Sequence, residues 1–178
     1  DLVEGDYLVG SAITDGSSDV MLFSSEGKAV RFSESDVRSV GRVSKGVRGM
    51  RLPTEHKVLS MIIPADNGYA LTVSASGYGK RTNLTEFPTK GRGGKGMIAM
   101  QASKRNGPLV GVVQLFDRDE IMLISDQGTM VRTRCDEISI LGRNTQGVRV
   151  IRLKDQEIMV GLARVEEQDY VDDFESED

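Results

Sequence analysis

The chain repeats itself. Gly41-Arg42, Gly91-Arg92 and Gly142-Arg143 lie 50 and 51 residues apart, and Gly46, Gly96 and Gly147 keep the same offsets. Each of those last three glycines opens an apolar run: VRGMRL, MIAMQA and VRVIRL. Upstream, Gly27, Gly77 and Gly128 recur at the same period, followed in register by Arg31, Arg81 and Arg132. Apolar pairs at Leu8-Val9, Val58-Leu59, Leu109-Val110 and Met159-Val160 open the units. The chain therefore holds three whole repeats, about 7–56, 57–107 and 108–157, and the closing strand 158–165 of a fourth. A period of this length confines it to blades, solenoids or arrays, whose units cannot bury a core alone.

Each repeat reads as four short strands. In the first they are Tyr7–Ile13, Val20–Phe23, Ala29–Phe32 and Val47–Leu52. Hairpin signals separate the first three: Asp15-Gly16 and Ser25-Glu26-Gly27, then Asp66-Asn67-Gly68 and Ser76-Gly77, then Asp126-Gln127-Gly128. No window carries a 3.6-residue apolar period, so no helix is expected and the fold class is all-β. The second strands, VMLF, ALTV and IMLI, are continuous apolar runs, as in strands covered on both faces. Stacked blades cover inner strands that way, which favours a propeller-like ring or spiral of about three four-stranded blades. Within each repeat the third and fourth strands are joined by a long segment, such as Ser33–Gly46, and every Gly-Arg pair lies in it.

These loops are the candidate site. KGRGGKG, Lys90 to Gly96, packs four glycines among three cations, and free backbone N–H groups beside positive charge suit a phosphate. Repetition lines up Arg42, Lys45 and Arg48 from the first copy with Lys90, Arg92, Gly93, Gly94 and Lys95 from the second. Arg143 and Arg149 come from the third, where Gln146 stands in place of a lysine. A single such loop is more often plain solvated surface; three in register make a stripe. Arg31, Arg81 and Arg132 are each followed five residues later by an acid, Asp36, Glu86 or Glu137. The set could add further phosphate contacts, but the acid kept in every copy favours one ion pair per blade, pinning the long loop to the third strand.

Charge supports the stripe once its distribution is read. The formal net charge is −4, yet ten of the 27 acids and one of the 23 Lys/Arg fall in 155–178. Residues 1–154 thus hold 17 acids against 22 cations, a balance of +5. The end of the chain, 166–178, carries eight carboxylates and no cation and is expected to be a disordered tail. It either competes with phosphates near Arg143 and Arg149 or only solvates the chain.

Other chemistry is not supported. His56 has no companion histidine and Cys135 sits in another repeat, so no metal site is indicated. No Ser-His-Asp set, P-loop or dinucleotide fingerprint occurs, so no active site and no cofactor are expected. With aromatics at 5% and no Trp, a stacking platform for single strands is poorly supplied. The lone cysteine excludes an internal disulfide and fits a cytoplasmic protein. No apolar run has membrane-spanning length, and a start without Met inside a repeat points to a piece of a longer chain.

The loop KGRGGKG resembles the QRRGGKG box found in the C-terminal domain of the bacterial DNA gyrase A protein. YGKRTNLTEFPTKGRGGKG, VMLFSSEGKAVRFSESDVRSVG, RTRCDEISILGRNTQGV and VGLARVEE resemble the later repeats of that family, so the likeness spans nearly the whole chain. It implies a β-pinwheel whose blades exchange strands and whose basic rim wraps duplex DNA, supporting ATP-dependent negative supercoiling by the bacterial, nucleoid-associated holoenzyme. It implies as partners the remainder of gyrase A together with gyrase B, with no catalytic residue in this part. Lys90 and Gly91 depart from the first Gln-Arg of the box, and only one further repeat follows. The loop is therefore read as a box-like later copy and the chain, 1–165, as the C-terminal half of the wrapping domain. Two alternatives stay open: the equivalent domain in the A protein of topoisomerase IV, and a propeller-like protein-interaction module without DNA binding.

Overall fold

The computed structural model describes residues 2–166. The tail expected to be disordered lies, apart from Glu166, outside them. Eleven strands form: β1 (Asp19–Ser24), β2 (Lys28–Ser33), β3 (Val58–Ile62), β4 (Tyr69–Ser74), β5 (Tyr78–Asn83), β6 (Met97–Ile98), β7 (Leu109–Leu115), β8 (Glu120–Ser125), β9 (Met130–Arg134), β10 (Val148–Arg149) and β11 (Met159–Val165). They make three antiparallel sheets, ordered β3-β1-β2-β6, β10-β5-β4-β7 and β11-β8-β9. Each sheet is built on one repeat's hairpin, flanked by strands of the next repeat. β3 pairs with β1, β7 with β4 and β11 with β8; β6 and β10 reach back to β2 and β5. A blade is thus shared between two repeats.

This exchange corrects two expectations. Tyr7–Ile13 and Val47–Leu52 form no strands, because segments at those repeat positions pair with a preceding hairpin and the described residues contain none. Tyr7 and Leu8 are accordingly exposed. The third sheet has three strands rather than four, since the strand beside β9 would come from a following repeat. β5, flanked on both sides, is buried over four of its six residues, whereas β9 alternates between exposed and half-buried.

A one-turn 3₁₀ segment follows each hairpin, at Glu34–Asp36, Leu84–Glu86 and Cys135–Glu137. Ser33 and Asn83 cap the first two by accepting from Ser35 N and Thr85 N. Such turns are too short to show a helical period, which is why the sequence hides them.

The core lies between the sheets. Met21, Phe23 and Ile62 of the first sheet meet Ala70, Phe87, Met100 and Val112, with Phe23 and Phe87 edge to face at 5.8 Å. A second cluster joins Leu71, Val73 and Leu115 to Ile121, Leu123 and Met159. Ala70 and Leu71 face opposite clusters, so the middle strand β4 is buried on both sides, as its apolar run requires.

The period of glycines follows from the exchange. The carbonyl of Gly27 accepts from Ala99 N and Met100 N, and that of Gly77 from Val150 N and Ile151 N, where the next repeat crosses the turn. A Cβ on Gly27 would sit 2.4 Å from Met100 O, in a backbone at φ +83°. At Gly128, which no following repeat crosses, a Cβ would meet nothing within 4 Å.

Candidate nucleic-acid interface

The long loops lie against one another in register. Gly93 N donates to Gly49 O at 2.7 Å, Arg51 N to Gly94 O at 2.8 Å and Lys90 N to Arg31 O at 2.7 Å. Gly93 takes φ +78°, which lets the turn approach the preceding loop. One repeat on, Gln101 N donates to Thr145 O at 2.9 Å and Leu141 N to Arg81 O at 2.9 Å. The loops therefore form a continuous ribbon across the repeats.

The Gly-Arg arginines brace this ribbon. Arg92 Nη1 donates to Arg48 O at 2.5 Å and its Nε to Asp36 O at 3.1 Å. Arg143 repeats the move one blade later, with Nη1 donating to Ile98 O at 2.8 Å and the guanidinium 5.9 Å from the centre of the Phe87 ring. Glu86 accepts from Arg143 N at 3.0 Å. Both guanidinium groups keep further N–H donors and their charge. Arg42, at the same repeat position with no preceding loop to brace, is exposed.

Between the braces stand open cations. Arg42, Lys45, Arg48, Lys90 and Lys95 are exposed, and their side chains have no ion pair or hydrogen bond among the described residues. Arg149 is exposed and donates to the Tyr78 hydroxyl at 3.0 Å. The structure thus sets the first and second loops side by side with their cations, while Arg143 braces the third loop and Arg149 lies beyond it on β10.

Lys80 was not legible as part of this region. It is fully buried under the third loop and donates through Nζ to Gly142 O at 2.5 Å and Arg143 O at 2.6 Å. Burial pulls its pKa down to about 8, against the nearby Glu86, which raises it. The one signal was a lysine where the other repeats place Val30 and Val131 ahead of the register arginine.

The second arginine set pairs differently from expectation. Arg31 bonds Asp19 at 2.7 Å, Arg81 reaches Asp117 at 3.4 Å and Arg132 pairs with Glu120; none uses the acid five residues on. The 3₁₀ turn carries that acid away from the arginine. Arg31 instead donates to Leu84 O and Phe87 O, and Arg81 to Ile138 O at 2.8 Å, so each pins the following repeat's turn. Among the described residues Arg132 has no following turn to pin, and its side chain is 60% exposed. On Asp19, hydrogen bonds from Thr89 and Arg31 outweigh the opposing effect of burial and hold the carboxyl below its ordinary value.

No cluster of three or more His, Cys, Asp or Glu side chains that could hold a metal occurs among the described residues, and no helix there is long and apolar enough to cross a membrane. Cys135 is buried beside Arg81, and burial raises its thiol pKa. Unpaired cations on a braced ribbon of loops can hold a polyanion by charge and hydrogen bonding.

Fold and loops together define a strand-exchanged β-propeller with a cationic loop face. The model of the DNA gyrase C-terminal domain, beta-propeller, matches three times, at residues 18–65, 68–115 and 119–166. The chain belongs to that family. It is 56% identical over 172 residues to the DNA gyrase A protein of Pseudomonas aeruginosa, covering 97% of this chain and 19% of that protein. The DNA gyrase A protein of Escherichia coli is 55% identical over 166 residues, with 93% of this chain and again 19% of that protein covered. The chain thus spans about a fifth of these relatives. Among solved structures, a DNA gyrase A C-terminal domain superposes with a TM-score of 0.82 at 28% identity, over 92% of this chain and 56% of that one. The C-terminal domain of a DNA topoisomerase IV superposes with a TM-score of 0.87 at 26% identity, over 93% of this chain and 52% of that one. The fold alone does not separate the two; the high identity is to gyrase A.

Proposed function

We propose that this chain binds duplex DNA through its cationic loop face and bends it, as part of a gyrase A protein. The observation that carries the reading is the set of five open cations, Arg42, Lys45, Arg48, Lys90 and Lys95, on two loops fixed to each other by backbone hydrogen bonds. Fixed loops present charge in a set order, which costs less on binding than ordering a flexible surface. Duplex phosphates supply a matching row of negative charge, and few aromatic or base-reading side chains stand beside the cations, so affinity is largely independent of sequence.

In this reading 1–165 is the C-terminal half of a wrapping domain, and its partners are the rest of gyrase A together with gyrase B. Bending DNA along the rim is its share of negative supercoiling; strand cleavage and ATP hydrolysis lie elsewhere in the holoenzyme. A gel shift comparing linear duplex with small circles of the same sequence tests the claim. Tighter binding to the bent circles is the expected result. Absence of a shift with either substrate at low salt would leave a module for protein contacts as the better account.

A further inference from the structure

Tyr78 opens β5 directly after the Gly77 turn, and two arginines from separate segments meet at its ring. The guanidinium carbon of Arg105 lies 4.5 Å from the ring centre and that of Arg149 lies 5.5 Å from it. Arg149 also donates to the Tyr78 hydroxyl at 3.0 Å, and Arg105 to Gly147 O at 3.3 Å. Both arginines are exposed, and neither has a carboxylate partner among the described residues. Two like charges on one ring repel. The ring face offsets part of that repulsion, since its negative quadrupole attracts a cation. A bound anion beside the two guanidiniums offsets the rest.

The other repeats neutralise this position. In the first, Lys28 stands in Tyr78's place and is paired with Glu26 at 2.9 Å, while the turn corresponding to Arg105's carries Glu55. In the third, Thr129 takes the place and the turn carries Asp155. Among the described repeats, the middle one alone combines two guanidiniums lacking a carboxylate with a phenol hydroxyl. The Arg149 hydrogen bond holds the Tyr78 phenol below its ordinary pKa, the mark of an electropositive corner. Gln101 Nε2 donates to Asn144 Oδ1 at 2.9 Å, tying the segment that carries Arg105 to the Arg143 loop. The cluster therefore extends the loop face onto a different element.

We propose that Tyr78, Arg105 and Arg149 form a binding site for a backbone phosphodiester of duplex DNA, a contact point beside the Gly-Arg loops. It rests on the DNA-binding reading above. The guanidiniums supply charge and N–H donors to two phosphate oxygens, and the Tyr78 hydroxyl, already accepting from Arg149, donates its proton to a third contact.

The test is the salt dependence of binding to a short linear duplex, measured on the full 178-residue chain and on Arg105→Gln, which keeps a donor for Gly147 O. Loss of one phosphate contact makes the log–log slope shallower by about 0.9, so the affinity ratio of wild type to variant shrinks about threefold between about 50 and 200 mM salt. Arg149→Gln gives the same change on its own and guards against a folding defect in the first variant. Tyr78→Phe keeps the ring and the slope and lowers affinity at every salt concentration. Arg132→Gln, remote from the cluster, leaves the slope as it is. If the wild-type slope is steep and both Gln variants retain it, the cluster only fastens the 104–106 turn to the blade and the site is overturned. A flat wild-type slope overturns the DNA reading itself, and the site with it.

Discussion

Lys80 shows most directly how a single residue shapes the interface. Its ammonium is buried under the Gly142-Arg143 loop and donates to both carbonyls there. Desolvation disfavours the charge, so the folded pKa, about 8, lies below the value of 10.5 for a free lysine. Between those values the unfolded chain binds more protons than the folded one, and stability rises with pH across the window. The rise attributable to this group is at most about 3 kcal/mol. Lys80→Met, measured by urea unfolding at both ends of the window, should lose that rise. A variant whose stability climbs as the wild type does would show that Lys80 titrates normally.

Between elements, the register arginines act as staples from one blade to the next repeat's turn. Arg81 is 5% exposed, lies 4.9 Å from the Tyr69 ring centre, and contacts Ile138 O and Cys135 Sγ. Arg81→Ala leaves buried acceptors without a donor and should lower stability by about 2–4 kcal/mol. Arg132→Ala removes an exposed ion pair and should cost under about 1 kcal/mol. Equal losses for the two in thermal unfolding would contradict the staple account. The sequence showed the arginines, because their spacing is the repeat, but not their partners. An acid five residues on looked near along the chain, whereas the ion-pair partners are Asp19, Asp117 and Glu120, and the carbonyl acceptors, Leu84, Phe87 and Ile138, belong to the following repeat. Hairpins such as Val20↔Phe32 were legible because turn chemistry and alternation are local. Strand exchange was not, since a period says where strands recur and not whom they pair with. The same limit made Tyr7–Ile13 look like a strand and left the Arg105–Tyr78 contact unseen.

Across the whole molecule, exchange leaves two unlike ends. Among the described residues, Leu8, Val9 and Ile13 are exposed at one end, beside a first sheet with no preceding blade, and at the other β9 has an unpaired edge. The loop face runs between these ends, so its length scales with the number of blades. Arg42, Lys45, Arg48, Lys90 and Lys95 stand open on the first two loops, and in the proposed function they meet the backbone of a duplex. The most direct measurement is the affinity of the chain for linear duplex across a range of salt concentrations. About five neutralised phosphates predict a log–log slope of about −4 to −5, with little change between unrelated sequences. A slope near zero, or strong dependence on sequence, would contradict the claim.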